Sequence, residues 1–125
     1  MLDTHVALWA ITDSPKLPPK ARELITSPKT HVWVSAASIW EIAIKHSLGR
    51  GDMPISGADA QRYFLASGYR CLSIEAEHAA AVEDLPSHHQ DPFDRILVAQ
   101  ALTEPMRLMT HDAQVALYSD TIIKI

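Results

Sequence analysis

HVWVSAASIWEIAIKHS, residues 31–47, carries two periodicities in one short stretch. Residues 31–34 form a β-branched and aromatic run, the composition of a buried strand. Over residues 35–47 the apolar positions Ile39, Trp40, Ile42, Ala43 and Ile44 recur at helical spacing, and Gly49 ends the stretch. A strand running straight into a helix is the opening half of a β–α–β unit.

The alternation repeats on both sides of this stretch. Residues 70–74, 107–109 and 121–124 read as further strands. Helical spacing returns over 91–102, which ends near Pro105, and in shorter stretches at 6–11, 19–26, 58–67 and 75–84. Strands alternating with helices predict an α/β fold, a parallel sheet covered by helices on both faces. Only Met1 and Leu2 precede Asp3, too little for an ordinary central strand. Either the first strand is very short or the native start lies upstream. No repeat, low-complexity segment or linker interrupts the chain, so residues 1–125 are expected to form one domain.

Composition agrees with a folded enzyme-sized unit: 125 residues, 47% hydrophobic and 21% charged. No apolar run reaches membrane-spanning length, and no signal-peptide pattern is visible. Cys71 is the sole cysteine, which excludes an internal disulfide and fits a reducing compartment; a cytoplasmic location is expected. Within its apolar run Cys71 reads as a core residue rather than a nucleophile. The net charge of −4 argues against an extended, non-specific nucleic-acid binder. It leaves room for an enzyme whose acids surround a cation.

Asp3, Glu41, Asp94 and Asp112 come from separate segments, each at or just after a strand-to-helix junction or in the first turns of a helix. In an open parallel sheet those junctions share one edge, where ligands bind. Every acid also has a purely structural use. Asp3 and Asp112 suit helix caps. Ser38 and Glu41 have capping-box spacing, and Glu41 can pair with Lys45 at i, i+4. Asp91-Pro92-Phe93-Asp94 is a helix start. Gathered together, though, four carboxylates repel one another unless a cation sits among them. Oxygen ligands of this kind suit Mg²⁺ or Mn²⁺, which can polarise a phosphoryl oxygen and activate water.

Four ordered segments carry a resemblance: LDTHV at 2–6, SAASIWEI at 35–42, DPFDRILVAQA at 91–101 and LMTHD at 108–112. Together they resemble the PIN-domain family and, within it, VapC-like toxins of toxin–antitoxin pairs. The resemblance implies a three-layer α/β/α sandwich around a parallel sheet of about five strands. It implies an Mg²⁺- or Mn²⁺-dependent endoribonuclease, usually a homodimer, silenced by a cognate antitoxin and cutting tRNA or ribosomal RNA to stop translation. The family's metal-binding acids map onto Asp3, Glu41, Asp94 and Asp112. Thr4 and Thr110 match positions whose hydroxyls often lie beside the site, and Asp91 falls where many relatives also carry Asp, a candidate to support the metal-binding acids or to cap the helix. The same acids would serve a metal-dependent DNA nuclease or phosphatase, or an inactive PIN-like binding module.

The remaining polar residues carry weaker signals. Lys45, Arg50 and Arg95 stand near the acid-bearing segments and are candidate RNA phosphate contacts, with a solvated helix face as the plain alternative. His88-His89 lacks further ligands at zinc spacing and reads as a loop pair. His5 and His111 flank two of the acids, where substrate contact and packing are equally expected. Trp9, Trp33 and Trp40 fall at apolar positions and read as core or dimer contacts. Arg50-Gly51-Asp52 spells an adhesion tripeptide by coincidence.

Overall fold

The computed structural model describes residues 1–49 and 53–125; the expected phosphate contact Arg50 and the tripeptide containing it lie outside them. In chain order the elements are α1 (Thr4–Ile11), α2 (Pro19–Thr26), β1 (Trp33–Ser35), α3 (Ala36–Ser47), α4 (Gly57–Ala66), β2 (Arg70–Leu72), α5 (Ala76–Ala81), α6 (Pro92–Thr103), β3 (Met109–Thr110), α7 (Ala113–Ala116) and β4 (Ile123–Lys124). A 3-10 turn, Val82–Asp84, extends α5.

β1 pairs in parallel with β2, Trp33 opposite Arg70, and β3 pairs in parallel with β4, Met109 opposite Ile123. Leu2 joins the two halves by parallel bridges to Val34 and Met109. The sheet therefore runs β2–β1–Leu2–β3–β4. Its central strand is reduced to one bridging residue, held by Leu2 N–H to the Trp33 carbonyl at 2.9 Å and Asp3 N–H to the Met109 carbonyl at 3.0 Å.

Alternation along each strand sends successive side chains to opposite faces. Leu2, Val32, Val34, Met109 and Ile123 pack with α1, α2 and α4 on one face. Met1, Trp33, Leu72, Leu108 and Ile122 pack with α6 and Val115 of α7 on the other. Two separate cores divided by a parallel sheet are the expected three-layer sandwich.

Local boundaries differ from expectation in instructive ways. The strand predicted at 31–34 lies at Trp33–Ser35, because Ser35 both stays in the ladder and caps α3, its hydroxyl accepting from Ala37 N–H at 3.0 Å. Ser38 is therefore not the cap of a capping box with Glu41. It is fully buried inside α3 and accepts a hydrogen bond from the Thr4 hydroxyl at 2.9 Å. The strand predicted at 70–74 stops at Leu72 and forms a sheet edge, so Cys71 is exposed rather than a core residue. Trp40 is 56% exposed and touches Phe93 edge-on, so it too lies outside the core. No helix among the described residues is long and apolar enough to cross a membrane.

Candidate metal centre

Helix capping places three of the acids. Asp3 caps α1 with Oδ1, which accepts from Val6 N–H at 2.9 Å; its Oδ2 accepts from the Thr110 hydroxyl at 2.6 Å. Asp112 caps α7 with Oδ1, accepting from Gln114 N–H at 2.8 Å. Asp94 sits in the first turn of α6, which opens on Pro92 and is capped by Asp91, whose Oδ1 accepts from Phe93 N–H at 2.8 Å and Asp94 N–H at 3.2 Å. The capping of α6 thus fixes the turn that carries Asp94.

Asp94 and Asp112 converge on a residue that sequence reasoning had set aside. His89 Nε2 lies 3.2 Å from Asp94 Oδ2 and 3.1 Å from Asp112 Oδ2. Its Nδ1 accepts from Asp91 N–H at 3.1 Å, which places the ring proton on Nε2 and makes that atom a donor shared by the two carboxylates. Tyr118 steadies the loop, its hydroxyl accepting from His89 N–H at 2.8 Å and donating to the His89 carbonyl at 3.2 Å. The available sequence signal was position: a histidine two residues before a helix-capping aspartate is close enough to turn its Nδ1 to that residue's N–H.

Asp3, Asp94 and Asp112 line one open pocket of about 300 Å³, with His5, Trp9 and His111 as its other wall. Glu41 does not line it. It is buried on α3, where Oε2 accepts from the Lys45 ammonium at 2.7 Å, yet its charge still acts on Asp3 and Asp94. Burial pushes the Asp94 carboxyl up to about 7, and the charges of Asp91, Asp3 and Glu41 add to the rise against the pull of His89. Asp3 is raised as well, chiefly by burial, although Thr110 and Val6 N–H counter it. Partial burial also disfavours the Asp112 carboxylate, but hydrogen bonds from Gln114, His89 and Val115 outweigh this and hold it below the ordinary range.

Of the neighbouring candidates, Thr110 touches the site directly, while Thr4 is turned to Ser38. Arg95 is engaged internally: its guanidinium donates to the carbonyls of Val82, Pro86 and His89 and to the Tyr118 hydroxyl at 3.0–3.2 Å.

These residues fit a hard divalent cation. The donors are carboxylate oxygens, and the nearest imidazole nitrogen carries a proton instead of a free lone pair. Burial raises the Asp94 carboxyl to about 7, and the further push from Asp91, Asp3 and Glu41 marks a place where added positive charge would be stabilising.

No protein in the curated set matches the chain. A solved structure, VapBC2 from Rickettsia felis bound to a DNA fragment from its promoter, is similar with a TM-score of 0.71 at 16% identity, covering 100% of this chain and 96% of the other. The PIN domain family profile matches residues 1–120, a span that holds both halves of the sheet's centre and all four acids. On that match the chain belongs to the PIN-domain family.

Proposed function

We propose that this protein is an Mg²⁺- or Mn²⁺-dependent endoribonuclease, the VapC-like toxin of a toxin–antitoxin pair. One observation carries the reading: Asp3, Asp94 and Asp112 line a single pocket, with the buried charge of Glu41 acting on it. The likeness to a VapBC2 assembly supports the toxin role and a cognate antitoxin; the proposal extends to a homodimer, a cytoplasmic setting and tRNA or ribosomal RNA as the target.

Asp3, Asp94 and Asp112 would hold the ion, with Glu41 as a fourth acid whose charge acts on Asp3 and Asp94 from outside the pocket lining. When bound, the ion supplies polarisation of a phosphoryl oxygen and an acidified water for attack on the phosphodiester. The chain's own groups set the conditions for that chemistry. Thr110 orients Asp3, holding its Oδ2 while the α1 amide of Val6 holds its Oδ1. Asp91 fixes the turn that presents Asp94, and the Asp112 carboxylate stays ionised through hydrogen bonds from α7. His89 offers an N–H donor between the two carboxylates, which keeps them apart from a close like-charge contact.

Incubating RNA with the protein and Mn²⁺, beside Asp94→Asn and Asp3→Asn, tests this. Cleavage by the wild type with loss of at least about a hundredfold in each variant is expected, since a missing ligand removes the ion's contribution. Equal cleavage by all three would sink the proposed site. Arrest of growth on expression, relieved by the adjacent small gene, checks the toxin role separately.

A further inference from the structure

Three aromatic rings line the same pocket as the acids. His5 and Trp9 stand one helical turn apart on α1 with ring centroids 6.4 Å apart, and His111, just past β3, meets Trp9 edge-on at 5.3 Å and 68°. His5 and His111 are exposed, whereas Trp9 is half-buried and packs against the core beneath α1. His111 is held in place by a 3.0 Å hydrogen bond between its Nδ1 and the Ile125 carbonyl. Rings serving only as packing would be covered, but these line an open pocket beside three carboxylates.

Charge makes the wall more informative. No lysine or arginine is among the described residues lining this pocket. Lys45 is bound to Glu41, and Arg95 to the loop carbonyls. A polyanion entering here meets carboxylates and flat rings rather than a phosphate cradle. Besides the cation that the acids would hold, this pocket offers an entering strand rings, on which the face of a base stacks regardless of sequence.

We propose that His5, Trp9 and His111 form a stacking platform for an unpaired nucleobase beside the scissile linkage. The substrate class is RNA with a base free to leave its stack, in a loop or single strand, because in a continuous A-form duplex both faces of each base are already covered. The inference rests on the nuclease reading for the position of the linkage, but not for the binding itself.

Binding is measured with Asp94→Asn protein and a short fluorescein-labelled single-stranded RNA, with the same strand made abasic at each position in turn, and with its duplex. Removing the base at one or two positions is expected to weaken binding about 5- to 150-fold, the range for one stacked base, and the duplex should bind weakly. Trp9→Leu should flatten that profile and His111→Ala reduce it, while Trp9→Phe keeps it; the two milder variants carry the test if Trp9→Leu does not fold. A profile flat within about twofold in the parent protein, or unchanged in all the variants, overturns the platform. Base-dependent binding with no cleavage of any RNA by the wild type supports the platform and sinks the nuclease. Cleavage with base-independent binding does the reverse.

Discussion

The Thr110 hydroxyl donates a 2.6 Å hydrogen bond to Asp3 Oδ2, tying the end of β3 to the residue that follows the one-residue central strand. The same hydroxyl accepts from Asp112 N–H at 3.0 Å, so one oxygen orients two of the acids. Thr110→Val keeps the shape and removes both bonds. Asp3 loses the contact that counters its burial, so its carboxyl should rise further and hold a cation less well. Calorimetry with Mn²⁺ should show affinity lower by roughly 10- to 100-fold, the usual cost of losing a partner behind a metal ligand, with recovery in Thr110→Ser. Unchanged affinity in the valine variant would remove Thr110 from the site.

Asp94 makes the metal-free protein sensitive to pH. Below about 3.8 its carboxyl is protonated in both folded and unfolded chains; between there and about 7 only the unfolded chain ionises. The stabilising contribution of the protonated group is therefore complete at low pH and is lost as pH rises through about 7, at up to about 1.4 kcal/mol per pH unit. Asp3, also raised, acts in the same direction. With EDTA present, Tm should fall from pH 5 to pH 8, and Mn²⁺ should restore it at the upper end. Asp94→Asn should flatten the metal-free curve. A curve of the same slope in that variant would assign the effect elsewhere.

How far the chain was readable is clearest at the acids themselves. Capping and metal binding were weighed as competing explanations of Asp3 and Asp112, yet the structure gives one oxygen of each to a helix amide and the other to a side chain beside the pocket, Thr110 for Asp3 and His89 for Asp112. The positions were legible because capping chemistry and the carboxyl edge of a parallel sheet coincide. Glu41 was placed among the others by position and family pattern, and its pairing with Lys45 was offered by their i, i+4 spacing; that it stands outside the pocket lining depends on side-chain packing that spacing does not encode. His89 was set aside as a loop residue because its partners, Asp94 and Asp112, come from elements that only tertiary folding unites. Cys71 was misplaced because an apolar strand at a sheet edge has the composition of a buried one. The reduced central strand explains itself: Leu2 needs only two bridges to join the halves, since Trp33 and Met109 supply the pairing groups.

His89 should matter most when no metal is present. Its Nε2–H is shared by Asp94 and Asp112, and the three groups' ligand atoms lie within 4.8 Å of one another. His89→Ala leaves the carboxylates facing each other without that donor, so the metal-free Tm should fall. A cation would then relieve more repulsion and would have no N–H to displace, so the rise in Tm on adding Mn²⁺ should exceed the wild type's. A smaller rise would make His89 itself a ligand, with its proton moved to Nδ1 or lost.

Arg95 separates loop support from contact with RNA. Its guanidinium reaches the carbonyls of Val82, Pro86 and His89 together with the Tyr118 hydroxyl, a fork that a lysine ammonium does not reproduce. Arg95→Lys should cost about 1–3 kcal/mol of stability, the range for charge-assisted hydrogen bonds, and should hasten proteolysis within residues 85–91. It should also weaken Mn²⁺ binding, because the loop leads into Asp91, whose cap fixes the turn that carries Asp94. The dependence of RNA affinity on salt distinguishes the roles. A charge engaged with loop carbonyls releases no counterion, so Arg95→Gln should leave the slope of log K against log salt unchanged. A residue holding a phosphate would lower that slope by about one when neutralised. A drop of that size, with stability and loop protection intact, would return Arg95 to the RNA interface and leave the loop to Tyr118.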